Sequence, residues 1–288
     1  MGSRQRVIAY RYRGCFTGKV MANTQFQLEG NAPQLYERYT VPSLAKPQTE
    51  LLFAHVALQA GDRLLDAACG TGIVTRVAVQ RWGNLGKVVG VDLNPGMLDV
   101  ARANTPATGV PIEWRQGDLS ALPFPHSSFD VVLCNQGLQF VPDKLVALRE
   151  IRRVLAADGR LAFTVWSESP YAAARADALT RHVSTEAAMS CLAPLALRDA
   201  ATVRQLVDEA GFRAIEMQVL EFIERTPASV EAVLEAMARS PYARDVAAVP
   251  EATRLALGQE VCTALQAYRD GNYFALPCKM HLVQARVA

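Results

Sequence analysis

The 288-residue chain has only six cysteines, Cys15, Cys69, Cys134, Cys191, Cys262 and Cys278, with no C-x-x-C pair and no histidine cluster nearby. Neither a zinc site nor a disulfide framework is indicated, and reduced thiols are expected. No apolar run reaches the length that crosses a bilayer, and the first residues lack the continuous apolar stretch of a signal peptide. The expected location is therefore the cytosol. A formal net charge of +2 is too small to imply a nucleic-acid or anionic-membrane partner. Against these absences stands a hydrophobic share of 50%, ample for the core of one large α/β domain with insertions or of two small domains. Only residues 1–22 look different: Arg4, Arg6, Arg11, Arg13 and Lys19 occur without an acidic residue. A disordered arm, an extension ahead of a start at Met21 and a targeting segment are the competing explanations.

The most informative stretch is Arg63 to Val74. Arg63-Leu64-Leu65-Asp66-Ala67-Ala68 is short and largely apolar between Gly61 and Gly70, as expected of a strand buried in a parallel sheet. Gly70 and Gly72 permit positive φ and would let a ligand lie against bare backbone. Helical spacing follows from Ile73 to Trp82, so the free N–H groups of that first turn should face whatever lies over the glycines. The usual dinucleotide fingerprint, G-x-G-x-x-G, is incomplete because Thr75 occupies the third glycine position.

The pattern continues beyond the turn. Lys87 to Asp92 reads as a second strand, with Pro95 opening a helix from Gly96 to Asn104. Asp92 then stands at a strand's carboxyl end, about twenty residues past the glycines, where an acid can accept hydrogen bonds from ribose hydroxyls. Ile112 to Gln116 alternates as a strand before Gly117-Asp118-Leu119. Ser128 to Asn135 forms another strand and ends on Asn135-Gln136. A helix from Pro142 to Leu155 and a strand from Arg160 to Trp166 complete a β/α alternation. Such alternation requires a parallel sheet with right-handed crossovers and helices on both faces.

The D-x-x-C-G-T-G form at 66–72 resembles the first motif of class I S-adenosylmethionine-dependent methyltransferases, especially the branch of ubiquinone and menaquinone C-methyltransferases. The resemblance implies an α/β fold with a doubly wound, mostly parallel seven-stranded sheet of Rossmann-like methyltransferase type. It also implies S-adenosylmethionine as cofactor, a small-molecule methyl acceptor, and no metal. By position it carries over Asp66, Ala68, Gly70, Thr71 and Gly72 as the donor turn, and Asp92 for the ribose. Leu93 and Met97 would flank the adenine, while Gly117, Asp118 and Leu119 would bind its edge. Asn135 and Gln136, with Gln139, would face the sulfonium and acceptor, and Tyr36 in a leading helix would fold over the cofactor. Packing roles are the alternatives for Tyr36, Leu93 and Met97, and an ordinary turn for Gly117-Asp118.

The leading helix begins near Asn31, with Leu35, Tyr36 and Tyr39 near one face before Pro42 interrupts; a second helix spans Gln48 to Gln59. Beyond Trp166, a helix from Thr202 to Ala210 and a strand from Ala214 to Ile223 precede a closing strand within Phe274 to Ala288. In the resembling family the last two strands make the sheet's edge antiparallel. The domain expected is residues 23–288, with a core of about 48–166, 199–226 and 273–288. Insertions at about 169–198 and 227–272 then form a helical cap, or else a dimer interface. Val230 to Ala238 and Ala252 to Tyr268 carry the helical patterns of the second.

The four histidines, His55, His126, His182 and His281, are isolated in sequence. His126 and His182 have the better expected access to a site, but none is assigned as a base. A nicotinamide-dependent oxidoreductase shares the strand, glycine turn and distant acid but would want a Tyr-x-x-x-Lys pair, which is missing. A non-catalytic protein of methyltransferase-like fold stays open, because fold does not determine function. So does the choice between monomer and homodimer.

Overall fold

A computed structural model describes residues 30–107 and 109–287, so the basic segment at 1–22 and Cys15 lie outside the described residues. The described chain enters as helix. Helix α1 (Ala32–Leu35) continues through a π-helical stretch, Tyr36–Ala45, into α2 (Lys46–His55). Pro42 thus does not interrupt the segment as expected, because the wider π register accommodates a residue without an N–H. Helix α2 stops short of Gln59, where Val56 turns extended at φ −119°.

Next come β1 (Leu64–Ala67), α3 (Ile73–Arg81), β2 (Val88–Asp92), α4 (Pro95–Ala103), β3 (Ile112–Gln116), β4 (Phe129–Asn135), α5 (Lys144–Val154) and β5 (Leu155–Glu168). Helices α6 (Pro170–His182), α7 (Thr185–Leu192) and α8 (Ala200–Glu209) lead to β6 (Arg213–Pro227). Then α9 (Val230–Ala238), α10 (Ala243–Ala248) and α11 (Glu251–Ala264) precede β7 (Arg269–Asp270) and β8 (Tyr273–Arg286). Local chemistry sets several starts. Asn94 caps α4 by accepting from the Gly96 N–H at 2.9 Å, with Pro95 in the first turn, and Asp143 caps α5.

The sheet runs β3-β2-β1-β4-β5-β8-β6, with β3 to β5 parallel and β8 antiparallel to both neighbours. Seven strands lie on this path, as expected; the two-residue β7, which pairs with β8, is an addition to them. Alternation along β1 sorts the two faces. Leu65 and Ala67 pack with Leu148, Ile151, Val203 and Val207 of α5 and α8, whereas Leu64 packs with Leu52, Phe53, Val74 and Val77 of α2 and α3.

A third core lies off the sheet's centre. Tyr171, Ala178 and Leu179 of α6, Val233 and Met237 of α9, and Leu257 and Val261 of α11 close around Phe274, Leu276 and Cys278 of β8. The helices between β5 and α8 and those between β6 and β8 therefore share one interior.

Candidate functional site

The strand order reverses direction at β1, whose two neighbours are β2 and β4. In open α/β sheets the crevice at such a switch point, outside the strands' carboxyl ends, is where ligands bind. A cavity of about 310 Å³ occupies that place. Tyr36, Asp66, Ala68, Gly70, Thr71, Asp92, Leu93, Met97, Gly117, Asp118, Leu119, Asn135 and Gln136 all line it. The topology thus brings every anticipated site residue except Gly72 to one space.

Gly72 has a different task. It takes φ +83° at the head of α3, and a Cβ built there would run into the Trp114 ring. Trp114 also covers Gly90 of β2 and donates from Nε1 to Thr105 Oγ1 at 2.8 Å. The missing side chain at Gly72 makes room for the Trp114 ring of β3 against the turn. Gly70, at φ +54°, does face open space. Its N–H, however, donates to Asp92 Oδ2 at 2.8 Å, so the acid on β2 clamps the turn.

Asp66 sits at the bottom of the turn, 1% exposed. Its Oδ2 accepts from both the N–H and the Oγ1 of Thr75, at 3.1 and 2.7 Å. The residue at the absent third glycine is therefore the carboxylate's anchor. Burial pushes the Asp66 pKa up to about 7; the Thr75 bonds oppose this, and Asp92 adds to it. Asp92 is likewise held above the usual carboxylate range, chiefly by burial, although the N–H groups of Asn94 and Gly70 favour its charged form. Tyr36 reaches the same space from the π-helical stretch. Burial first, then nearby Asp92 and Glu37, raises its phenol to about 12, so it is a hydrogen-bonding O–H at neutral pH.

Arg76 ties this leading segment to the turn. It donates to Thr71 O and to Glu37 Oε1, both at 2.7 Å. Asp118 Oδ1 accepts from the Ser120 N–H at 2.8 Å and from the Ser120 Oγ, shaping the loop after β3. After β4 the chain bends sharply. Gln136 takes φ +60°, and at Gly137 a Cβ would lie 2.5 Å from the Ala68 Cβ, so only glycine lets the two loops meet.

Four buried side-chain atoms in this wall find no partner among the described residues: Asp66 Oδ1, Thr71 Oγ1, Gln48 Nε2 and Gln139 Oε1. Buried polar groups are ordinarily bonded. Two acceptor atoms, one hydroxyl and one amide donor thus stand unpartnered in residues that line one cavity.

Sequence reasoning passed over Gln48, Thr40, Leu44, Trp166 and Pro194, which also line the cavity. Gln48 shares the buried face of α2 with Thr49, Leu52 and Phe53, and a long amide there was a signal; Pro194, between α7 and α8, carried none. Pro194 is the wall residue supplied by the helices after β5, and no residue of α9 to α11 reaches the wall. None of the described histidines lines it. His126, expected to have access, is exposed elsewhere, and His182 pairs with Glu260 at 2.8 Å between α6 and α11.

Comparison with known proteins agrees with this geometry. Residues 65–163 match the family described as "Methyltransferase domain". The 2-phytyl-1,4-naphtoquinone methyltransferase of Synechococcus elongatus is 36% identical over 143 residues, 49% of this chain and 56% of that protein. A ubiquinone/menaquinone biosynthesis C-methyltransferase of Xanthomonas campestris is 42% identical over 117 residues, 40% of this chain and 46% of that one. The chain thus spans about half the length of the curated relatives it matches. Among solved structures, phosphoethanolamine N-methyltransferase 2 of Haemonchus contortus, in complex with phosphomonomethylethanolamine and S-adenosylhomocysteine, superposes with a TM-score of 0.52 at 18% identity. That likeness covers 84% of this chain and 52% of the other, and it concerns the fold. Residues 65–163, which place the glycine turn at the sheet's switch point, thus match a methyltransferase domain, and the solved structures share the fold.

Proposed function

We propose that the chain transfers a methyl group from S-adenosylmethionine to a small organic acceptor. The observation that carries this is the convergence of Asp66, Gly70, Asp92 and Asp118 on one cavity that also holds an unpartnered Asp66 Oδ1 and Thr71 Oγ1. When bound, the cofactor supplies a methyl on a cationic sulfur with a good leaving group, so no electrophile has to be built.

The residues divide the work of holding it. Asp66 Oδ1 receives the cofactor's ammonium, Asp92 its ribose hydroxyls, and Asp118 the exocyclic amine of the adenine between Leu93 and Met97. Tyr36 closes the open side. Toward β4 and β5 the wall becomes Asn135, Gln136, Gln139, Phe140 and Trp166, which neither carry charge nor act as bases. Catalysis then rests on positioning and exclusion of water, and the acceptor arrives as a competent nucleophile. The quinone methyltransferases among the relatives support a quinone-like or similarly flat acceptor. Oxygen, nitrogen and carbon are all possible receiving atoms.

The helices after β5 and those between β6 and β8 act in this reading as insertions into a single domain, the first reaching the acceptor end through Pro194. The protein works without nucleic acid, in the cytosol, as a monomer or homodimer. Among the described residues no helix is long and apolar enough to cross a membrane.

Calorimetry tests the proposal. S-Adenosylhomocysteine should bind the full chain, and Asp92→Asn should weaken it roughly tenfold or more, through lost charge-assisted bonds to the ribose of about 1.5–3 kcal/mol. Absence of binding in the unaltered protein would remove the proposal.

A further inference from the structure

Strand β6 ends the sheet, and β8 is its one strand partner among the described residues. The single register shift lies at its start, between Arg213 and Glu216; from there to Pro227 the pairing runs without interruption. This stretch is a long regular edge, with no bulge or central proline to blunt it. Just past it, the Ala228 N–H donates to Asn272 O at 2.8 Å. Antiparallel ladders alternate, so even-numbered residues of β6 bond to β8, while Val219, Glu221, Ile223 and Arg225 aim their N–H and C=O groups at the free edge. Pro277, which has no N–H to give, stands opposite Ile223, where the ladder requires none.

The same four residues carry their side chains on the exposed face of the sheet: Val219 is 52% and Ile223 57% exposed. The charges there are incompletely matched within one chain. Lys279 serves both Glu168, at 3.1 Å, and Glu221, at 3.8 Å, which leaves one carboxylate in excess. Arg225 meets Asp270 at 2.7 Å, yet half of its side chain stays exposed.

A second copy can pair antiparallel with this edge about a two-fold axis perpendicular to the sheet. Directly opposite residues share a face, so the axis passes through a residue rather than between two. Arg225 is the sole cation from Glu216 to Pro227, and of Glu216, Glu221 and Glu224 only Glu221 lies an even number of positions from it. One register therefore sets opposite charges against each other, the one centred on Ile223.

We propose that the protein forms a homodimer in which β6 pairs with β6 of a second copy about Ile223, making one continuous sheet. Glu221 then faces Arg225 of the second copy on both sides of the axis. Each crossing completes an alternating row of charge: Glu168, Lys279 and Glu221, then Arg225 and Asp270 of the second copy. Ile223 packs against its own counterpart, and the outward N–H and C=O groups of Glu221, Ile223 and Arg225 find partners.

Sedimentation equilibrium of the full chain at about 100 μM should show a species of twice the 31.4 kDa chain mass. Glu221→Arg and Arg225→Glu each set like charges at both crossings, and each alone should raise the dimer dissociation constant about tenfold or more. Neither residue lines the cavity, so S-adenosylhomocysteine binding should not change. In a mixed dimer of the two variants both crossings again join opposite charges. The equimolar mixture should therefore dimerise about as tightly as the unaltered protein, which also shows both variants to be folded. An unaltered protein that is monomeric at that concentration, variants that dimerise as tightly as it does, or a mixture that associates no better than either variant alone overturns the proposal.

Discussion

Asp66→Asn should stabilise the protein at pH 8 and at the same time impair donor binding. Asp66 is 1% exposed, and burial raises its pKa to about 7, against about 4 in an unfolded chain. Below the lower value both states hold the proton and the group contributes nothing. Between the two, the folded protein keeps a proton that the unfolded chain has lost, so stability falls as pH rises. Above about pH 7 both are ionised and the full cost of the buried charge is felt. About three pH units at 1.36 kcal/mol each is about 4 kcal/mol lost between pH 4 and 7. Asparagine keeps an oxygen for the two Thr75 donors but does not ionise. Urea unfolding at pH 5, 6, 7 and 8 should therefore give a flatter stability profile for the variant, with the gap between the proteins widening toward pH 8. Calorimetry at pH 8 should show weaker S-adenosylhomocysteine binding, because a neutral amide replaces the carboxylate at the ammonium. Parallel stability profiles, or a variant less stable than the unaltered protein at pH 8, would refute the reasoning.

Two further substitutions probe the frame of the site. Gly72→Ala combines a residue held at φ +83° with a collision against Trp114, and should cost about 2–4 kcal/mol in chemical denaturation. Pairing it with Trp114→Ala should remove the collision but leave the backbone strain, so a double-mutant cycle that shows no coupling would contradict the packing account. Glu37→Gln breaks the half-buried ion pair with Arg76 that links the π-helical stretch to the glycine turn. It should loosen Tyr36–Ala45, measurable as faster amide hydrogen exchange there, and speed S-adenosylhomocysteine release about threefold to tenfold. Unchanged exchange would show that packing alone holds the segment.

The features legible in the amino-acid sequence were those governed by local rules. Apolar runs of strand length between glycines, helical spacing after them, and acids at strand ends located the parallel half of the sheet. They also gathered Asp66, Gly70, Asp92 and Asp118 as neighbours in a single cavity. The same reasoning misjudged Pro42, because a π register supplied a way through that a standard helix lacks. Gly72 carries a further constraint from Trp114, a residue on another strand that no spacing near the turn reveals.

The alternating β/α order, the glycine turn and the acids that follow it are readable from the chain because each depends on residues within a few positions or on simple periodicity. Long-range contacts settle instead that Thr75 anchors Asp66, that the helices of two separate segments share one interior, and that Gln136 donates to Met280 and accepts from Gln139. Gln136 and Met280 are 144 residues apart. A hydrogen bond over such a separation exists only after β8 has paired antiparallel with β5, and nothing in either local stretch encodes which atom the other will present.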